Sequence, residues 1–279
     1  MLAAYVKEHP KSSWGWYALG YSQFAQQRIG ESIQALAKSL QVDIRNAEAH
    51  KILGRDLMII GKFDAAQTEF EQGVRYAPRS SEMHFNLGKL FSIQDEWNAA
   101  RKEFEEALRI NPSYVESWDA LGFAQEALGD GAGAVESYEK AIALNRAMKG
   151  NFVSAHVNLS AYYNRKGDTE KALAYARAAL DLDPKCDGAW FQEAKAGEAQ
   201  GRLNDAAEAL DRAVSLNPRA SSYYYVLARV YRQLGKAEES RKALDMFIRL
   251  QDETNEIEEK RRSLADRSVS APQPKNQQD

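Results

Sequence analysis

Residues Ser81–Pro112, SEMHFNLGKLFSIQDEWNAARKEFEEALRINP, decide how the chain is read. Apolar residues recur at helical spacing on both sides of Ile93-Gln94-Asp95-Glu96, so the stretch predicts two helices joined by a tight turn. Leu87-Gly88 lies in the first helix, and Ala100, Phe104 and Ala107 lie in the second. Asn111-Pro112 closes the pair, since proline stops a helix and shapes the turn that follows.

Working outward, the same skeleton recurs along the chain. The small residue of the Leu-Gly pair falls at Gly20, Gly54, Gly88, Gly122, Ser160, Ala194 and Ala228, in steps of 34 residues with one step of 38. The second helix repeats in the same register, with small residues at Ser32, Ala66, Ala100, Ala134, Ala172, Ala206 and Ser240. Four positions later come Leu36, Phe70, Phe104, Tyr138, Ala176, Leu210 and Leu244. Pro78, Pro112, Pro184 and Pro218 end four of the units. A small residue inside a helix costs helix propensity, up to about 1 kcal/mol for glycine, so its recurrence implies a close helix-helix approach. The large residue four positions on shares that face and is expected to fill the space between units.

The fold class expected from the periodicity is therefore all-α, a repeat of helix pairs. The 279 residues, 44% hydrophobic and 28% charged, have the balance of a soluble folded chain. A net charge of -3 supplies no global positive field for nucleic acid. The single cysteine, Cys186, excludes an intramolecular disulfide framework. No run of apolar residues is long enough to span a membrane, and the first residues do not read as a secretory signal. The compartment is therefore unassigned: cytoplasmic by default, exported if an upstream signal is missing.

Over roughly residues 13–252 the chain resembles the tetratricopeptide repeat family. Trp118, Leu121, Gly122, Ala134, Tyr138 and Ala141 carry the match in the fourth unit; Leu87, Gly88, Phe91, Ala100, Phe104, Ala107 and Pro112 carry it in the third. The resemblance implies an α-solenoid of stacked antiparallel helix pairs in a right-handed superhelix, whose first helices line a concave face. Residues 1–12 read as a half-repeat or N-terminal cap helix, and 13–252 as seven repeats. Arg146 replaces the expected proline, and extra residues around Met148–Asn151 imply a longer helix and a looser joint near 146–152. Residues 253–267, with Ile257 and Leu264 in a polar setting, read as a helical extension, and 268–279 as a disordered tail.

No catalytic residue, cofactor site or metal site is expected. His50, His84 and His156 share a repeat position with Trp16, Trp118, Trp190 and Tyr224, so they read as aromatic spacers between helices. No carboxylate or cysteine completes a ligand set around them. Cys186 has no base nearby in sequence and reads as a spectator. Gly129–Gly133 lies between two helices rather than after a strand and lacks the Lys-Ser/Thr ending of a phosphate loop, so it is a turn.

In the geometry the resemblance implies, the second, fifth, ninth and twelfth positions of each unit face the concavity. Three units place a cation one turn after an aromatic residue: Phe85 and Lys89, Phe191 and Lys195, Tyr225 and Arg229. Lys51, Arg55, Phe123, Arg165 and Arg232 extend that strip, and Trp14, Tyr17, Tyr21 and Phe24 form an aromatic stripe in the first unit. Aromatics and arginine are favoured in interface cores. The competing reading is that each cation lays its stem on its own ring and faces water. Lys51, Arg55 and Asn86 echo part of the clamp by which some family members hold acidic chain ends, but Glu116 and Ala120 occupy its remaining sites, which argues against that ligand.

The expected function is a non-enzymatic protein-protein interaction scaffold that binds a peptide or partner helix in its concave groove. The partner is a protein or peptide, with carboxylates favoured by the inner cations. Alternatives are the targeting or regulatory repeat region of a longer enzyme, such as a glycosyltransferase, and a structural module that self-associates through its end repeats.

Overall fold

The computed structural model describes residues 1–269, with side chains described through residue 257. The expected tail from Ser268 falls almost wholly on residues 270–279, which lie outside the described residues. Every described element is an α-helix. A short α1 (Leu2–Glu8) precedes seven helix pairs. These are α2 (Ser13–Ala25) with α3 (Ile29–Val42), α4 (Ala47–Ile59) with α5 (Phe63–Tyr76), and α6 (Ser81–Ile93) with α7 (Trp97–Ile110). Next come α8 (Val115–Ala127) with α9 (Gly131–Ala147), α10 (Ser154–Lys166) with α11 (Thr169–Leu182), and α12 (Asp187–Ala199) with α13 (Leu203–Leu216). The last pair is α14 (Ser221–Gln233) with α15 (Ala237–Val269), the latter 33 residues long and continuous through the segment read as an extension. No described helix is long and apolar enough to cross a membrane.

The chain divides into two compact units, Met1–Ala155 and His156–Asp279. In the first, each small residue admits the large residue of its partner helix. A Cβ built on Gly54 or Gly88 would lie 2.6 Å from the ring of Phe70 or Phe104, and one on Gly122 would lie 2.8 Å from that of Tyr138. Phe70, Phe104 and Tyr138 are almost completely buried as a result. Gly20 takes Leu36 in the same way. Where serine stands at a small position, its hydroxyl donates across the pair: Ser32 to the Gly20 carbonyl at 3.0 Å, Ser160 to Ala172 at 2.6 Å and Ser240 to Ala228 at 2.7 Å. In the second unit alanines and Leu210 fill the corresponding core.

The turn within each pair uses one left-handed residue, at Gln27, Gly61, Asp95, Gly129, Gly167, Gly201 and Gly235. Backbone donors around it close on the helix just ended: Gln27 N–H bonds the Phe24 carbonyl and Arg28 N–H the Gln23 carbonyl. That arrangement satisfies the last carbonyls of the helix and is easiest for glycine. Side chains of Ser12, Asn46, Ser80, Asp130 and Asp168 cap the helices that follow them.

Around the irregular joint α9 runs 17 residues, against 14 for α3, α5 and α7. Asn145, the counterpart of Asn111, is buried and ties the joint back. Its amide donates to the Phe152 carbonyl at 3.0 Å and its oxygen accepts from Phe152 N–H at 3.1 Å.

Candidate interaction face

Within each unit, neighbouring first helices touch: α2 with α4, α4 with α6 and α6 with α8 in the first unit, α12 with α14 in the second. Neighbouring second helices do not, among the described residues. First helices thus form the closer-packed, inner wall of each unit. Several of their side chains meet on a diagonal, facing a residue 31 positions away. Arg55 lies over the Phe24 ring at 4.6 Å, Lys51 reaches Glu82 at 2.7 Å, and Arg229 reaches Glu198 at 2.6 Å. The offset is one repeat less about one helical turn, as expected for side-by-side helices whose contacting ridges run obliquely.

In the first unit the aromatic stripe is partly open. Trp14 and Tyr21 are 64% and 51% exposed, while Tyr17 is half-buried, its ring centroid 6.2 Å from that of Tyr21. Tyr5 of α1 packs on Gly15 and meets Trp14 edge-on at 6.4 Å. Lys51 is buried, its ammonium clamped at 2.7 Å by both Glu48 and Glu82. Burial pulls its pKa down, but the two carboxylates outweigh it and the net shift is upward. Lys51 is therefore a spent cation that fastens α4 to α6. Phe85 is half-buried against Phe104 and Tyr114, 5.9 and 5.0 Å away, and the exposed Lys89 lies 5.7 Å over its ring. Burial, with Glu82 and Glu116 nearby, pushes the Tyr114 phenol up and keeps it neutral. Phe123 is 49% exposed and rests edge-on against Trp97 at 5.5 Å.

In the second unit Phe191 stacks on Tyr223 at 4.6 Å and carries Lys195 at 5.7 Å over its face. The expected partnership of Tyr225 with Arg229 is replaced by another. Arg229 Nε and Nη2 donate side by side to the two carboxylate oxygens of Glu198 at 2.6 Å, because a fork-to-carboxylate pair exceeds a ring contact in strength. Tyr225, half exposed, packs on Phe247 at 5.3 Å instead. Gln233 also donates to Glu198, at 2.9 Å. Asn164 Nδ2 donates to the carbonyl and side-chain oxygen of Gln192, at 3.0 and 3.1 Å. Burial lowers the pKa of Lys195, and the charges of Arg165 and Arg229 lower it further. Arg165 and Arg232 are exposed on the same helices.

Glu198, Asn164, Gln192 and Gln233 were not among the residues singled out from sequence. Glu198 had a signal in the diagonal offset, since Arg229 lies 31 positions on, whereas the contacts of Gln233 with Glu198 and of Asn164 with Gln192 lie off that diagonal at separations of 35 and 28.

The shared aromatic position has a common task. Trp16, Trp118 and Trp190 donate indole N–H bonds of 2.8–3.0 Å to the carbonyls of Pro10, Pro112 and Pro184, and the Tyr224 hydroxyl donates to Pro218 at 3.2 Å. His50 and His84 do the same toward Ile44 and Pro78, at 2.8 and 3.3 Å, and turn their other ring nitrogen to Glu69 and Glu103 at 2.6 and 2.7 Å. Each thus pins the turn between repeats. Among the described residues no group of three or more His, Cys, Asp or Glu is placed to hold a metal ion. Cys186 is half-buried just ahead of α12, and burial pushes its thiol up, away from the reactive thiolate.

Two tetratricopeptide repeat models match the sequence, one over residues 53–115 and 189–253, the other over 115–148 and 153–186. An uncharacterized protein of Methanocaldococcus jannaschii is 37% identical over 60 residues, 22% of this chain and 70% of that one. Among solved structures, the APC/C hetero-tetramer Cut9-Hcn1 aligns with a TM-score of 0.71 at 17% identity, covering 82% of this chain and 45% of that chain. The chain thus spans under half the length of that relative. A tetratricopeptide repeat protein from Parabacteroides merdae aligns with a TM-score of 0.67 at 14% identity, over 85% of this chain and 96% of that one. A protein described as YrrB, a TPR protein with an unusual peptide-binding site, aligns at 0.50 and 18% identity, over 70% of this chain and 98% of that one. Helix pairs, register and sequence models agree, and the chain belongs to the tetratricopeptide repeat family, whose repeats serve as protein-protein interaction scaffolds.

Proposed function

We propose that the chain is a non-enzymatic scaffold that binds an extended peptide or partner helix on the inner walls formed by the first helices of its units. One observation supports this above the rest: those walls leave large aromatic rings open to solvent beside unspent cations. Tyr21, Phe123 and Tyr225 are each about half exposed, and Lys89 stands exposed beside Phe85. Large rings cost free energy when left in water, and rings flanked by cations are what partner surfaces favour. Lys51 and Arg229 do not serve as free contacts, since internal carboxylates hold them. They stiffen the wall and leave Arg55, Lys89, Lys195 and Arg232 with the aromatic residues as the contact set.

Affinity capture of partners from the source cell tests the reading, comparing the wild-type chain with Lys89→Glu combined with Phe123→Ser. Loss of the captured proteins in the variant supports it. Equal recovery removes the inner wall as the partner surface.

A second reading has its own observation. Leu244 of α15, 42% exposed, lines one pocket with the half-exposed Tyr225, and Ile248 one turn on is 47% exposed, so the last repeat leaves apolar side chains open. Self-association through those side chains would raise the scattering mass with concentration, and a monomer at every concentration removes it.

A further inference from the structure

We propose that the chain associates head to tail, with α15 of one copy packing on α2 of a second copy in the place that α1 holds within a single chain. The inference rests on the self-association reading of the last repeat and names what covers it.

Within each unit, consecutive repeats meet through a second helix and the first helix that follows it. α15 is a second helix without that neighbour: among the described residues it touches only α14. Its side chains show what is missing. Leu244 is 42% exposed, whereas its counterparts Leu36, Phe70, Phe104, Tyr138, Ala176 and Leu210 are at most 1% exposed. Ile248 is 47% exposed, whereas Leu40 and Leu108 at the same repeat position are buried. α2 is the opposite half, a first helix covered on its N-terminal side by the seven residues of α1. Leu19 is only partly buried there, while Leu53, Leu87, Leu121, Leu159 and Leu227 in its position are buried. α2 also carries no charged residue to oppose an apolar neighbour.

Register and size make the two halves fit. Leu2, Tyr5 and Val6 of α1 stand at the repeat positions of Leu244, Phe247 and Ile248 of α15. Between these two helices the middle position is always small: Ser39, Gly73, Ala107, Ala141, Ala179 and Ala213. At Gly73 the reason is direct, since an added Cβ would lie 2.8 Å from Met83 of the next first helix. The first seam inverts that pair. Tyr5 is the large partner, and a Cβ added to Gly15, at the position of Met83, would lie 2.8 Å from its ring. Phe247 is large as Tyr5 is, so it too needs a small residue opposite, and Gly15 is the one glycine among the first-helix residues at that position. α1 holds the place weakly, being a single short helix with no side-chain N-cap and with Tyr5 38% exposed. A contact between unlike faces of two copies leaves one face free at each end, so it adds further copies unless a ring closes.

Sedimentation of the full chain across a concentration range provides the test. Tyr5→Ser loosens α1 from Gly15 and should tighten association by about tenfold. Gly15→Leu fills the site on α2, and Leu244→Asp, carried together with Tyr5→Ser, charges the face of α15. Each of these two proteins should stay monomeric where Tyr5→Ser associates. Mixed in equal amounts they should form a dimer and nothing larger, because one keeps its α15 face and the other its α2 site. Ala18→Arg closes the same site should Gly15→Leu unfold the first pair, since its counterpart Ile52 packs with Leu36.

A Tyr5→Ser chain that is monomeric at every concentration overturns the proposal, as does a mixture that stays monomeric. Association of Gly15→Leu and Ala18→Arg as tight as wild type also overturns it. If Leu244→Asp alone then abolishes association, self-association through the last repeat survives and only α2 fails as its partner.

Discussion

At the scale of single residues, the strain and the titrating groups sit in a few legible places. Gln27 and Asp95 hold left-handed backbone, φ 59° and 60°, where five other turns use glycine. Such a conformation costs an ordinary residue about 1–2 kcal/mol, partly offset by the added freedom glycine has when unfolded. Gln27→Gly is therefore expected to stabilise the chain by about 0.5–1 kcal/mol in urea unfolding, and destabilisation would contradict the turn assignment. Asp56 is fully buried, bonded to Ser32 at 2.5 Å, with its second oxygen unpartnered. Burial raises its pKa above the usual carboxylate value. A carboxyl whose folded pKa is raised contributes most to stability at low pH, and that contribution is lost as pH rises through the folded pKa. Asp56→Asn should flatten this decline. His50 and His84 titrate higher. Both ring nitrogens of each face acceptors, an arrangement that only the imidazolium satisfies as a double donor. Burial pulls His50 down, yet Glu69 and the Ile44 carbonyl outweigh it; for His84 the Glu103 hydrogen bond leads, and both shift upward. Their contribution is complete below the ordinary histidine pKa of about 6.5 and is lost as pH rises through the raised values. The urea midpoint should fall as pH rises above about 6.5, and less so in His50→Gln with His84→Gln. An unchanged pH slope in that variant would remove these pairs as the cause. The sequence revealed the histidines as seam residues through their shared position with Trp and Tyr. It did not reveal their carboxylate partners, which lie on the second helix of the same pair.

At the scale of the helix pair, packing follows closely from the periodic small and large residues. Gly54, Gly88 and Gly122 abut Phe70, Phe104 and Tyr138 so tightly that an added methyl must displace a ring. Gly88→Ala should cost about 1–3 kcal/mol, as overpacking of a filled core does. Gly30, with nothing within 4 Å of its added Cβ, serves as the control: Gly30→Ala in α3 should be neutral or stabilising. If both substitutions behave alike in denaturant unfolding, the close approach is not what fixes the glycines. This layer was readable because it depends on neighbours within one repeat. The inner wall was less so. Counting the inward positions repeat by repeat found Lys51 and Arg229 and set Lys89 over Phe85 and Lys195 over Phe191 as they stand, but it assigned Arg229 to Tyr225 and gave Lys51 no internal carboxylate. The true partners, Glu82 and Glu198, are 31 positions away on the adjacent first helix, a distance that no single-repeat template spans.

At the scale of the molecule, seven helix pairs in one register give two units, each with first helices on its inner wall. Such arrays hold themselves together by contacts between neighbours, so the face that is not needed for stacking is free to vary. On that face, side chains already joined to one another act as struts, and those left without internal partners are available to a ligand. Captured partners provide the most direct test of this division. Lys89→Glu with Arg232→Glu reverses two exposed inner cations without disturbing the Arg229–Glu198 strut. Lys102→Glu with Lys140→Glu places the same charge change on exposed positions of the second helices. Quantified capture of partners by the full chain should fall by about tenfold or more for the inner variant and stay near wild type for the outer one. Equal recovery by both, or loss in the outer variant alone, would contradict the claim that the inner wall is the binding surface.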